Sequence, residues 1–137
     1  MVIVDSSVWI DAINGVSSAE AIWLHQWLHR EGVGLTSLIL CEVLQGMRGE
    51  KRIRQVRDEL LRLTVFENYS ADLAIQAAEN YRFLHSKGVT IRTSIDCLIA
   101  TFCIENRFQL LQHDSDFVPF HIHLGLDILD PSVGVLN

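Results

Sequence analysis

Val2-Ile3-Val4-Asp5-Ser6-Ser7-Val8-Trp9-Ile10 is the stretch on which the fold turns. Its three β-branched residues suit a short strand buried on both faces, as in a parallel sheet. Asp5, Ser6 and Ser7 carry short oxygen-bearing side chains of the kind that cap a helix start, and Val8-Trp9-Ile10 continues as the first turns. A carboxylate just past the carboxyl end of such a strand stands where α/β sheets bind their ligands. No basic region precedes the apolar residues and no small-residue cleavage site follows, so a strand is expected and not a signal peptide.

The same alternation continues outward from this stretch. Ser17-Ser18-Ala19-Glu20 has a capping-box pattern and opens a helix with Trp23, Leu24, Trp27 and Leu28 on one face. Gly32 to Thr36 reads as a second strand, and Ser37 leads a helix from Leu38 to about Met47 that carries Glu42. A basic helix is expected from about Glu50 to Leu63, with Ile53, Val56, Leu60 and Leu63 at helical spacing. Thr64-Val65-Phe66 is a third strand. Ser70 caps a long helix lined by Leu73, Ala74, Ala77, Ala78, Tyr81 and Leu84 and stopped by Gly88. Thr93-Ser94 leads a helix to about Asn106, Gln109 to Gln112 is a strand, and His113-Asp114-Ser115-Asp116 is the turn that ends it. His121 to Leu129 reads as a last strand. Strands alternating with helices imply an α/β fold with a central, mainly parallel sheet. Residues 1–137 are expected to form a single domain, since nothing marks a linker or a repeat.

Apolar residues make up 49% of the chain, with a mean hydropathy of +0.23. No apolar run approaches the roughly 20 residues needed to cross a bilayer, so the excess is assigned to a buried sheet and a protein interface in a cytoplasmic protein. Cys41, Cys97 and Cys103 lack CxxC spacing and lie in helix-like apolar stretches, where buried thiols are expected. The net charge of −6 argues against a nucleic-acid partner until its distribution is considered. Arg48 to Arg62 holds six of the eleven basic residues against three acids, a local +3 that leaves −9 on the remainder. Arg48, Arg52 and Arg57 are thus candidates for holding a phosphate backbone. A solvated amphipathic helix is the alternative.

Four acids stand out. Asp5 and Asp114 follow strands, and both point into one crevice if those strands are neighbours. Glu42 and Asp96 sit inside apolar segments, Leu38-Ile39-Leu40-Cys41-Glu42-Val43-Leu44 and Ile95-Asp96-Cys97-Leu98-Ile99-Ala100, where an unpaired carboxylate is costly to bury. Each has a structural alternative. Asp5 serves as a helix N-cap, Asp96 as the acid of a capping box with Thr93, Glu42 as a solvent-facing residue and Asp114 as a turn aspartate. Their joint placement favours one shared site. Two carboxylates about 5 Å apart repel by roughly 3 kcal/mol at an effective dielectric near 20, so several together call for a cation or for protonation. All-oxygen ligands suit Mg²⁺ or Mn²⁺, and phosphodiester hydrolysis is the reaction such an ion serves.

With those residues in place, the chain resembles PIN-domain proteins, and within them the VapC-type toxin ribonucleases of bacterial toxin–antitoxin pairs. The resemblance is carried by Val2 to Ile10, by Glu42, by Arg92-Thr93-Ser94-Ile95-Asp96-Cys97-Leu98-Ile99-Ala100 and by His113-Asp114-Ser115-Asp116-Phe117, in the family's order. It implies a three-layer α/β/α domain, Mg²⁺- or Mn²⁺-dependent endoribonuclease activity, a homodimer, and a small antitoxin whose tail covers the active site. It implies catalytic roles for Asp5, Glu42, Asp96 and Asp114, with metal binding by Asp5, Asp96 and Asp114. Ser7 and Asp116 support them, and His113 has no catalytic part. Glu42 either binds metal or positions the attacking water. Three rivals differ in signature. A haloacid-dehalogenase-type phosphotransferase needs an aspartate where Ser7 stands. A zinc site at His25 and His29 lacks a third ligand, and His121 and His123 read as surface residues. A silent PIN-like module that binds RNA or protein would not need the full acidic set.

Overall fold

Three-residue strands are too short to define a fold by themselves, and here their pairing defines it. In the computed structural model, which describes residues 1–67 and 69–133, β1 (Val2–Val4), β2 (Val33–Thr36), β3 (Thr64–Phe66) and β4 (Gln109–Leu111) form one parallel sheet in the order β3-β2-β1-β4. β1 and β4, at opposite ends of the sequence, pair directly through Val2–Gln109, Ile3–Leu110 and Val4–Leu111. The ladder runs one residue further, since the Asp5 N–H donates to the Leu111 carbonyl at 2.9 Å. Ile3, Val4, Leu35, Leu110 and Leu111 are fully buried, as expected of strands covered on both faces.

The helices are α1 (Ser6–Ile13), α2 (Ala19–Trp27), α3 (Ser37–Gln45), α4 (Glu50–Leu60), α5 (Ala71–Ser86), α6 (Ser94–Asn106) and α7 (Val118–Leu124). Four of their starts are capped by the hydroxyls that the sequence offers: Ser18, Thr36, Ser70 and Thr93. Two successive crossovers run from β1 to β2 and on to β3, and the third returns across the sheet to β4. Parallel crossovers are right-handed, so reversing direction moves α5 and α6 to the face opposite α1–α4. In keeping with this, α1 packs on α2 and α3, and α5 packs on α6 and α7. The result is the expected α/β/α layering. The reversal makes the gap between β1 and β4 the topological switch point of the sheet.

Three expectations need correction. His121–Leu129 is not a strand: Val118–Leu124 is helix α7, opened by Pro119 in its first turn and closed by Gly125 at φ +74°. The alternating His-Ile-His-Leu imitated a strand, whereas Phe117 and Phe120, both fully buried, follow the helical period. Strand character there is confined to a single bridge between Ile128 and Leu110. Cys41 is exposed while Cys97 and Cys103 are buried. It lies two residues from Ile39 and Val43, on the opposite side of α3 from their buried row. On α5 the buried row is Leu73, Ala77, Asn80 and Leu84, with Ala74, Ala78 and Tyr81 exposed. Asn80 tolerates its core position because its Nδ2 donates to Thr101 Oγ1 on α6 at 3.0 Å and its Oδ1 accepts from Gln76 at 3.1 Å. Trp23 is buried and stacks on the half-buried Trp27 at 5.9 Å, which makes this pair part of the packing under α2.

Gly34 is held to the absence of a side chain by its neighbour strand. A Cβ there would lie 2.8 Å from the Thr64 carbonyl oxygen, a backbone atom fixed by the β2–β3 ladder. Gly34→Ala is expected to destabilise the fold by about 1–3 kcal/mol, the usual range for overpacking. Urea unfolding followed by far-UV circular dichroism measures this directly, and an unchanged midpoint would show that β3 can shift.

Candidate active site

At the switch point, Asp5 follows β1 and is 3% exposed, the only buried acid among the described residues. It caps α1, accepting from the Ser7 backbone N–H at 3.1 Å and from Ser7 Oγ at 2.7 Å through one oxygen, Oδ2. Ser7 Oγ in turn accepts the backbone N–H of His113, from the segment that follows β4, at 3.0 Å. One hydroxyl thus ties the ends of both strands to the same carboxylate. The structural alternative for Asp5 is real, and it coexists with a place in the acidic group.

The other acids arrive from three directions. Glu42 comes from α3, and its Oε1 accepts from Ser6 Oγ at 3.2 Å. Asp96 comes from the first turn of α6, where its backbone N–H donates to Thr93 Oγ1 at 3.2 Å. Asp114 ends the β4 segment and caps the short 3-10 turn Ser115–Phe117 by accepting the Asp116 N–H at 2.9 Å. Asp96, Asp114 and Asp116 bring one carboxylate oxygen each to within 4.8 Å of one another, the only such group of three or more potential metal ligands among the described residues. The closest-knit trio therefore contains Asp116, which the sequence had cast as a supporting residue.

Burial and mutual repulsion leave their mark on these groups. The Asp5 carboxyl is raised above its ordinary range, chiefly by burial, against the pull of its Ser7 hydrogen bonds and with a contribution from Asp114. Glu42 is raised by burial and then by Asp5, Asp96 and Asp114. Asp96 is raised to about 6, by burial first and then by Asp5, Asp114 and Asp116. Behind them the Cys97 and Cys103 thiols are pushed up to about 11 and about 12 by burial, with smaller contributions from Asp96 and Asp5, so both behave as inert packing groups.

Several residues around the site were not legible as contributors. Ser6, read only as a capping residue, holds Glu42. His113, given no catalytic part, pairs its Nδ1 with Asp11 of α1 at 2.9 Å, clasping the β4 segment to α1. Arg92 lies 3.8 Å from Asp116. The first two rest on contacts across 36 and 102 residues, for which a single sequence carries no signal. The basic segment is partly occupied in the fold. Arg52 donates to the Ile13 carbonyl at the end of α1, one of the orphan acceptors every helix leaves, and Arg57 pairs with Asp58 at 3.0 Å. Arg48 is exposed, as are His25, His29, His121 and His123.

Comparison with known proteins identifies the family of the fold. Residues 2–119 match the PIN domain, and the chain belongs to the PIN-domain family. Among curated proteins it is similar to a VapC ribonuclease of Mycobacterium bovis and to ribonuclease VapC11 of Mycobacterium tuberculosis. Each is 28% identical over 123 residues, spanning 85% of this chain and 89% of the relative. Among solved structures it is similar in fold to VapBC2 of Rickettsia felis bound to a promoter DNA fragment, with a TM-score of 0.74 at 20% identity, covering 94% of this chain and 98% of the other. VapBC-1 of Haemophilus influenzae gives 0.74 at 16% identity, covering 96% and 99%.

The raised carboxyls fix how stability depends on pH. A carboxyl held above its unfolded value stabilises the fold while protonated, and that contribution disappears as the pH rises through its folded value. For Asp96 the window runs from its ordinary 3.8 up to about 6, and Asp5 and Glu42 act in the same direction. In chelator-treated protein the melting temperature is expected to fall between about pH 4 and pH 6.5 and to level off above it. Asp96→Asn should flatten that fall and gain ~1 kcal/mol at the upper end, allowing for solvent screening of a half-exposed group. Thermal melts of both proteins across this range check it, and parallel curves would overturn it.

Proposed function

We propose that the chain is a Mg²⁺- or Mn²⁺-dependent endoribonuclease that acts as the toxin of a toxin–antitoxin pair. The observation that carries this reading is the convergence of Asp96, Asp114 and Asp116 within 4.8 Å beside Asp5 and Glu42, at the switch point of a PIN-family sheet. The donor set fits a hard divalent ion: every candidate ligand is a carboxylate oxygen, no imidazole or thiolate takes part, and Asp5, Glu42 and Asp96 have raised pKa values that a cation would bring down. Asp5, Asp96 and Asp114 would hold the ion, with Asp116 as a further ligand or a support. The bound ion would supply Lewis acidity toward a phosphate oxygen and acidify a water.

The chain's own residues have separable tasks in this scheme. Ser7 fixes Asp5 through Oδ2. Ser6 engages Glu42 Oε1 and leaves Oε2 to bind metal or to hold the attacking water and take its proton, for which a raised pKa is suited. Asp114 and Asp116 share one tight turn, so their spacing is set by the backbone. Arg48, Arg52 and Arg57 are assigned to the RNA backbone, with Arg48 the member most open to it. Two relatives are named as ribonucleases and a structural neighbour as a VapBC complex; a cognate antitoxin, a homodimer and a cytoplasmic location belong to the same proposal and follow from the family resemblance. No helix among the described residues is long and apolar enough to cross a membrane.

The test is cleavage of mixed RNA by chelator-stripped protein, with and without Mg²⁺ or Mn²⁺, beside Asp96→Asn. Cleavage is expected only with the ion, falling by at least about a hundredfold in the variant, the scale of losing a group that acts in the transition state. RNA binding without cleavage under either ion would favour the silent-module reading instead. A second expectation concerns the ion alone. Saturating Mn²⁺ at about 100 times its dissociation constant should add about 2.7 kcal/mol of stability. It should also raise the melting temperature at pH 7.5 by several degrees, and no rise would remove the metal from the proposal.

A further inference from the structure

We infer that Arg92 is a substrate-positioning residue, a guanidinium held at the rim of the acidic site to grip a phosphate of the bound RNA strand. The inference rests on the nuclease reading above and adds a contact to it.

The chain has an electrostatic problem at this site. A polyanion must approach five carboxylates on a protein of net charge −6, and an ion among the acids offsets only part of that repulsion. Among the described residues, Arg92 is the one arginine or lysine in ion-pair range of a member of the acidic group, with Nε 3.8 Å from Asp116 Oδ1. The basic segment Arg48–Arg62 does not do the same, since its described ion pairs, Arg57 with Asp58 and Arg62 with Glu59, lie outside that group.

How Arg92 is mounted favours a ligand role over a structural one. Its two neighbours are pinned. Ile91 is 6% exposed in the core, and Thr93 caps α6 by accepting the Asp96 N–H. The backbone at residue 92 is therefore fixed beside a carboxylate of the site, while the Arg92 side chain is 80% exposed. Its contact with Asp116 is long and uses Nε, so both terminal amino groups stay available. A solvated pair of this kind contributes at most about 1 kcal/mol and gives way to a stronger acceptor. A phosphate is one, because the planar fork of a guanidinium matches two of its oxygens at once. Moving from Asp116 to the RNA would also leave that carboxylate open toward the ion.

A purely structural Arg92 would only neutralise Asp116, and experiment separates the two roles. In an Asp96→Asn background, which prevents turnover, the affinity for an end-labelled, mixed-sequence RNA oligonucleotide is measured by fluorescence anisotropy across a range of KCl. Arg92→Gln is expected to weaken binding about 5- to 20-fold and to flatten the slope of log affinity against log salt by about 0.7, the loss of one single-strand phosphate contact. Arg92→Lys should restore the slope and only part of the affinity. The melting temperature should stay within a degree or so of the parent, as for a surface substitution. RNA binding and salt slope unchanged by Arg92→Gln, with tighter Mn²⁺ binding in the otherwise unaltered chain, would overturn the inference and leave Arg92 a counter-charge. Because binding is read without cleavage, failure of the unmutated chain to cut RNA would sink the nuclease reading without blurring this result.

Discussion

Repulsion among carboxylates is the constraint around which the rest of this molecule is arranged. Asp5, Glu42, Asp96, Asp114 and Asp116 come from two strand ends, two helices and a turn, and left alone they would push one another apart or take up protons. The fold keeps them together by spending backbone and hydroxyl donors on three of the five. Asp5 accepts from Ser7, Glu42 from Ser6, and Asp114 from the Asp116 N–H, while Asp96 is oriented through its own backbone bond to Thr93. Such a placement has a cost: burial first, and the neighbouring carboxylates after it, raise Asp96 to about 6, well above a free aspartate. A site that stores repulsion in this way is already shaped for a divalent cation.

The sheet makes that arrangement available. Placing β4 beside β1 sets two strand ends next to each other at the point where the crossovers change direction, so the crevice arises from topology. The apolar content of β1, β2 and β4, fully buried at their centres, fixes the plane from which the carboxylates project. His113 then closes the arrangement from outside, its ring on Asp11 and its backbone N–H on Ser7.

Much of this could be read from the chain because two signals coincided. Val2-Ile3-Val4-Asp5 and Leu110-Leu111-Gln112-His113-Asp114 each lead from a short apolar run to an acid, and Ser70 and Thr93 cap the helices they were expected to open, while the caps at Ser18 and Thr36 stand one residue from the expected Ser17 box and Ser37 start. The errors have physical causes. Residues 121–129 contain an alternation that suits a strand and a Phe117–Phe120 spacing that suits a helix, and proline and glycine decided between them. On α5 a polar residue, Asn80, occupies a core position that an apolar count passes over. The Asp11–His113 and Ser6–Glu42 contacts join residues that are neighbours only after folding.

The bond between His113 and Ser7 spans 106 positions, and this bears on how such a molecule comes into being on a ribosome. Strand β1 is made first, and the segment that fastens to Ser7 beside its carboxylate is made 106 positions later. Contacts of such long range also form late because loop closure must precede them. Until β4 has emerged and inserted beside β1, the nascent chain holds scattered acids and no assembled centre. The topology thus acts as a delay, withholding the completed site until β4 has followed β1 out by more than a hundred residues.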